Sequence, residues 1–155
     1  MRRVLLIIAA ATITAAAAPR ASALPQFQKE FLAKYIAEHP DAEYQELVKK
    51  KAKCNVCHQG KKDKHHMNPY GYQLSKLLDH KKDKKNVEKI NAALTKVGKM
   101  HSKTTKDGKP DEKSPTFDEL IADSKLPGGT LEDVLKEPAE DAEHHHEEDD
   151  AGDDK

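Results

Sequence analysis

One short run of residues constrains this chain more than any other: Cys54-Asn55-Val56-Cys57-His58, which contains both of its cysteines. In an exported protein, the Cys-x-x-Cys-His spacing is typical of covalent haem attachment. Two thiols three residues apart can form thioethers with the two vinyl groups on one edge of a porphyrin. The histidine that follows then lies under the ring, where its imidazole can ligate the iron. We therefore predict one haem c, bonded to Cys54 and Cys57, with His58 as the proximal iron ligand.

Three other roles for the cysteine pair are alternatives to haem attachment. A disulfide between Cys54 and Cys57 would close a very small loop and stabilise little, because the gain grows with loop length. A thioredoxin-like redox pair requires a strand and helix context, whereas this region is predicted as helix followed by loop. A zinc site requires four ligands, and the further two would have to come from His58, His65, His66 or His101. Haem attachment is preferred, because no second Cys-x-x-Cys or His-x-x-x-His pattern accompanies the first.

The first residues predict export. The basic run Met1-Arg2-Arg3 is followed by Val4-Leu5-Leu6-Ile7-Ile8 and then by an alanine-rich stretch that ends in Ala21-Ser22-Ala23. This order is typical of a secretory signal peptide, here residues 1–23, with cleavage after Ala23. The apolar part is shorter than the roughly 20 residues that a membrane-spanning helix needs. We therefore expect a periplasmic or secreted protein with no stable membrane span.

Charge divides the rest of the chain into two parts. Residues 24–136 contain 23 Lys and 17 Asp or Glu, a net charge of +6, whereas residues 137–155 have a net charge of −9. The first part is long enough for one small domain. The second is acidic and of low complexity, with three successive histidines at 144–146, and is predicted to be a disordered tail.

The spacing of apolar residues predicts an all-α domain, because no segment alternates as a strand would. One helix over 27–36 is predicted to end near His39-Pro40. A second helix begins with Pro40 in its first turn and runs into Cys54, and its buried stripe is formed by Tyr44, Leu47, Val48 and Ala52. Further helices are predicted downstream of the motif.

These downstream helices are marked by their first residues. We predict starts at Asn68-Pro69-Tyr70-Gly71, at Asp83 as an N-cap, at Thr116 and near Leu131. The helix after Asp83 has the clearest spacing, over 87–97, and ends near Gly98 or Met100. Thr116 and Glu119 have the spacing of a capping box.

An iron bound to His58 has a second axial position to fill or leave open. A methionine there gives a high-potential carrier, a second histidine gives a lower-potential one, and an open position permits ligand binding or catalysis. His65, His66 and Met67 follow His58 too closely for the chain to pass round the porphyrin edge. Met100 is therefore the predicted distal ligand, although it also continues the apolar stripe of its helix. The alternatives are His101, His65, His66 and Met67.

With the Cys54–His58 motif and Asn68-Pro69-Tyr70-Gly71 together, the chain resembles a small monohaem c-type cytochrome of the short secreted kind found in planctomycete-type bacteria. The resemblance covers residues 27–128 and implies a cytochrome c-like bundle of about four to five short helices around one haem. It also implies that the Pro69 carbonyl bonds the ring nitrogen of His58 that faces away from the iron, which would fix the ring and raise its basicity. No familiar methionine motif surrounds Met100, so the resemblance does not assign the distal ligand.

We predict an electron carrier rather than an enzyme, because no other catalytic constellation accompanies the haem motif. Lysines flank the motif on both sides: Lys49, Lys50, Lys51, Lys53, Lys61, Lys62 and Lys64. Their field would speed encounter with acidic redox partner proteins and weaken with salt, unless they form only an ordinary solvated face. No nucleic-acid partner is expected. The alternative functions are a haem enzyme or gas-binding sensor with an open distal site, and a zinc-binding structural module.

Overall fold

The computed structural model of the protein describes residues 26–62 and 65–138, which form a helical fold without a β-strand. The helices are α1 (Gln26–Phe31), α2 (Ala42–Glu46), α3 (Pro69–Ser75), α4 (Val87–Gly98), α5 (Phe117–Ala122) and α6 (Leu131–Leu135). The prediction of a helical domain is confirmed at this level. The predicted signal peptide and residues 139–155 of the predicted tail lie outside the described residues.

Two of the helices continue beyond their α-helical turns. α1 widens into a π-helical segment, Leu32–Ile36, and α2 into another, Leu47–Ala52; a 3₁₀ turn, Lys53–Val56, follows the second. π-helical turns are rare and occur frequently at functional sites. Because the 3₁₀ turn contains Cys54, the second helix leads directly into the first cysteine, as the sequence predicts.

The start of α2 differs from the prediction. Pro40 is not in its first turn, because Asp41 is the N-cap and the helix begins after it. The Asp41 carboxylate accepts hydrogen bonds from the N–H groups of Glu43, at 2.9 Å, and Tyr44, at 3.0 Å. An aspartate can satisfy these N–H groups and a proline ring cannot, so the cap decides where the helix begins.

The predicted N-cap of α4 is also wrong. The helix is capped by Asn86, whose side chain accepts from the Lys89 N–H at 3.0 Å. Asp83 is buried and accepts instead from the Lys89 ammonium, at 2.6 Å, and from the Asp79 N–H, at 2.9 Å. These two bonds, with that of Lys89 first, hold the pKa of Asp83 below its usual value. Asp83 thus fastens the loop before α4 instead of starting the helix.

Capping boxes begin the last two helices. The predicted box of Thr116 and Glu119 is present, with the Glu119 N–H donating to Thr116 Oγ1 at 3.2 Å and the Thr116 N–H to Glu119 Oε2 at 2.7 Å. Thr130 and Asp133 form the same pair of bonds at the start of α6. Each box satisfies two N–H groups at once, so even the five-residue α6 has a fixed start.

The core lies where α1 and α3 pack against α4. α4 buries Ile90, Leu94 and Val97, as its spacing predicts. Tyr70 of α3 is completely buried, and its ring packs edge-on against Phe117, with ring centres 5.2 Å apart. The residue that follows Asn68-Pro69 is therefore central to the core, and this position fixes α3 beside the motif.

Candidate functional site

The Cys-x-x-Cys-His motif lies on one tight turn. The Cys54 carbonyl accepts hydrogen bonds from the N–H groups of both Cys57, at 3.2 Å, and His58, at 3.1 Å. Lys53, just before the turn, has a φ of 50°, a conformation that costs about 1–3 kcal/mol for a residue with a side chain and that clusters at functional sites. The turn places both cysteines and the histidine at one end of the second helix.

Both cysteines are free thiols, and both are partly buried. Cys54 Sγ lies 4.0 Å from Gln28 Oε1, so α1 runs past this thiol. Burial, and secondarily the nearby Cys54, raise the pKa of Cys57 to about 12, which keeps its thiol protonated at neutral pH. Cys54 and Cys57 thus form no disulfide in the described structure.

Asn68 fastens the motif to α3. The side chain is 1% exposed, and its amide donates to the carbonyls of Asn55 and Val56, both at 3.0 Å. Its Oδ1 accepts from the Gly71 N–H at 3.0 Å and so caps α3. One side chain therefore holds both middle residues of the motif and the start of a helix. The sequence predicted the helix start and gave no signal for the bonds to the motif.

Gly71 allows α3 to lie directly against the motif. A Cβ at this position would overlap the Cys57 carbonyl, so only glycine permits the approach. The same carbonyl accepts a hydrogen bond from the Asn68 N–H at 3.0 Å. The backbone of α3 thus touches the motif at its second cysteine.

A second element holds the motif from α6. Residues 133–137, which we call the C-terminal clasp, accept hydrogen bonds from the motif and from the loop after it. The Val134 carbonyl accepts from the Gly60 N–H at 2.9 Å and from the Asn55 side-chain amide at 3.0 Å. The Gln59 side-chain amide donates to two further carbonyls of the clasp. Asn55, Gln59 and the clasp were not among the residues singled out from the sequence.

The clasp extends one residue past the predicted domain boundary at 136. Glu137, assigned to the acidic tail, accepts hydrogen bonds from the N–H groups of Lys61, at 2.9 Å, and Lys62, at 3.2 Å. A Cβ on Gly60 would press on the same carboxylate, and Gly60 has a φ of 81°. The first carboxylate after the boundary is therefore bonded to the loop that follows His58.

One candidate distal ligand, Met67, is paired with His58. The two residues pair in an isolated antiparallel bridge, next to which the Gln59 N–H donates to the His66 carbonyl at 2.9 Å. His65 is exposed. This segment therefore runs beside His58, and the expectation that it cannot reach the opposite face of a ring bound there stays a prediction.

The ring of His58 has its Nδ1 atom buried. Pro69 is exposed and is the first residue of α3, directly after the Asn68 cap. A hydrogen bond between the Pro69 carbonyl and the His58 ring stays a prediction.

The other two candidate ligands follow α4. Met100 is partly buried and packs against the core, and its carbonyl accepts from the Phe117 N–H at 3.0 Å. His101 pairs with Thr116, and its Nδ1 lies 2.7 Å from the Ser114 carbonyl. Phe117 in turn packs against Tyr70. Met100 is therefore connected to the core beside the motif, whereas the His101 ring is held by the loop before α5.

Lysines surround the motif on its exposed side. Those at 49–51, 53, 61 and 62 are all exposed, and Lys64 lies outside the described residues. Lys50 forms an ion pair with Glu46, but exposed pairs of this kind contribute little. The surface next to the motif therefore remains predominantly positive.

Within residues 26–62 and 65–138, no group of three or more His, Cys, Asp or Glu side chains is arranged to hold a metal ion. Over the same ranges, no helix is long and apolar enough to cross a membrane. Comparison of the chain with protein-family models, curated proteins and solved structures found no match.

Proposed function

We propose that this protein is a monohaem c-type cytochrome that carries single electrons between periplasmic redox partners. The observation that mainly supports the proposal is the Cys-x-x-Cys-His turn, with two free thiols and a partly buried imidazole. These groups fit a haem: Cys54 and Cys57 would hold it by thioethers, and His58 would ligate its iron. The haem would supply the one-electron iron couple.

The residues around the motif would keep His58, the proposed iron ligand, in one position. Asn68 bonds the motif from α3, and the clasp bonds it from α6. A site supported in this way reorganises little when the charge of the iron changes. Low reorganisation favours electron transfer over chemistry that requires the site to open.

The lysines beside the motif define the kind of partner. Six exposed lysines of the described residues flank the turn, so the edge of a haem bonded there would lie in a positive field. Such a field speeds association with an acidic protein, and the rate falls as salt screens it. The expected partners are therefore acidic redox proteins.

The visible absorption spectrum of the protein, after export with a c-type maturation system, tests the proposal. We expect sharp low-spin bands in both oxidation states and haem that stays bound on a denaturing gel. A protein with Cys54→Ser and Cys57→Ser is the matched control and should lose the gel-stable haem. A wild-type protein without haem bands but with bound zinc would refute the proposal. A high-spin spectrum that changes with carbon monoxide would instead favour a haem enzyme or gas sensor.

A further inference from the structure

Three oxygen-bearing side chains lie together inside the core: Tyr35, Tyr70 and Asp118, which we call the Tyr–Asp cluster. Tyr70 is completely buried, and the other two are partly buried. The Tyr70 hydroxyl oxygen and Asp118 Oδ1 are buried atoms, and neither has a hydrogen-bond partner within 26–62 and 65–138. Buried polar atoms are nearly always paired, so two such atoms in one place require an explanation.

The cluster extends to the motif. Burial raises the pKa of Tyr70 well above its usual value, and the neighbouring Cys57, Tyr35 and Asp118 raise it further. Burial, followed by Asp118, also raises the pKa of Tyr35, whose hydroxyl donates to the Leu94 carbonyl at 3.0 Å. Tyr70 directly precedes Gly71, whose backbone lies against the Cys57 carbonyl, so the Tyr–Asp cluster adjoins the motif at Tyr70.

Gly98 provides the space for the carboxylate. A Cβ on Gly98 would overlap Oδ1 of Asp118, so the carboxylate packs directly on the last turn of α4. Asp118 follows Phe117, whose ring packs against Tyr70. Gly98 therefore leaves space for the negatively charged side chain of Asp118 beside the packed rings of Phe117 and Tyr70.

We propose that the Asp118 carboxylate lowers the reduction potential of the haem bonded at Cys57, an inference that rests on the proposed function. Ferric iron carries one more positive charge than ferrous iron, so a nearby negative charge stabilises the oxidised state. The Oδ1 atom of Asp118 is buried, which limits the screening of this interaction by water. Two unit charges about 10 Å apart, at an effective dielectric constant near 20, change an equilibrium by roughly tenfold.

Asp118→Asn in the full-length, haem-bearing protein tests the inference, because it removes the charge and keeps the shape. At a fixed ambient potential we expect the ratio of reduced to oxidised protein to rise about tenfold, or about 59 mV for a one-electron couple. Asp123→Asn is the matched control, because Asp123 follows the same helix and is exposed beside Lys125. We expect less than about a twofold change there, since water screens this charge. A change for Asp118→Asn no larger than that of the control overturns the inference.

Gly98→Ala provides a second test that removes no charge and applies even if Asp118→Asn does not fold. Its methyl group must displace the carboxylate from its position, so the ratio of reduced to oxidised protein should again rise. An unchanged potential in a Gly98→Ala protein with a native spectrum contradicts the inference. Failure of the proposed function is distinguishable in the wild-type protein. A spectrum without haem bands would end both proposals, whereas a high-spin spectrum that changes with carbon monoxide would end only the electron-carrier proposal and leave the potential measurable.

Discussion

Asn68→Ala is the substitution that most directly tests how the motif is held. It removes the cap on α3, which is worth about 1 kcal/mol. It also removes the donors to the carbonyls of Asn55 and Val56, and losing a buried hydrogen bond costs about 1–3 kcal/mol each. The expected loss of unfolding free energy is about 3–7 kcal/mol. This is a large part of the roughly 5–15 kcal/mol by which domains are stable.

Urea-induced unfolding of the exported protein, followed by far-ultraviolet circular dichroism, measures this loss. Asn86→Ala is the matched control, because Asn86 is exposed and caps α4 through the Lys89 N–H alone at 3.0 Å. The control should lose about 1 kcal/mol. Asn68→Asp keeps an acceptor for the Gly71 N–H but has no donors for the carbonyls of the motif. It should therefore lose most of the unfolding free energy that Asn68→Ala loses.

Equal costs for Asn68→Ala and Asn86→Ala would refute the reasoning. The amide of Asn68 would then contribute only a cap, and its bonds to the motif would add nothing measurable. A large cost for Asn68→Ala with a small one for Asn68→Asp would lead to the same conclusion, since the aspartate retains only the cap.

Three further predictions concern Cys57 and the distal iron ligand. In the folded, haem-free protein at pH 8, Cys57 should react with iodoacetamide at least about tenfold more slowly than in the urea-unfolded protein, because burial raises its pKa to about 12. Peptide mass spectrometry measures the two rates. Equal rates would contradict the burial of Cys57. The pKa of Cys57 is raised from 9.0 in the folded protein. The stability linked to this thiol is therefore present below pH 9 and is lost as the pH rises towards 12. The Cys57→Ala protein should not show this contribution to the loss. In haem-bearing protein, Met100→Ala should abolish the weak red band of a ferric iron–methionine bond, whereas His101→Ala should leave it intact; a high-spin spectrum only in the second variant would assign the ligand to His101.

Local patterns in the sequence determined the motif and most of the helices. The spacing of Ile90, Leu94 and Val97 predicts the buried face of α4, because helical periodicity depends on neighbours three and four residues apart. The box of Thr116 and Glu119 is equally local. The same spacing in Thr130 and Asp133 could have predicted the start of α6.

Helix starts were predicted less well where several capping residues compete. Asp83 and Asn86 both precede α4, and either can cap a helix by itself. Asp83 is instead buried against Lys89, a choice that depends on packing. Pro40 and Asp41 show a similar ambiguity at the start of α2.

Only the tertiary structure placed the residues that support the candidate site. The amide of Asn55 reaches the Val134 carbonyl across 79 residues of sequence, and Gly98 makes room for the Asp118 carboxylate. Periodicity and capping rules act over a few residues and carry no information about such partners. The sequence by itself thus predicts the chemistry that we propose for Cys54, Cys57 and His58. The path of the folded chain decided which side chains hold that chemistry in place, because contacts between distant residues exist only once the helices have packed.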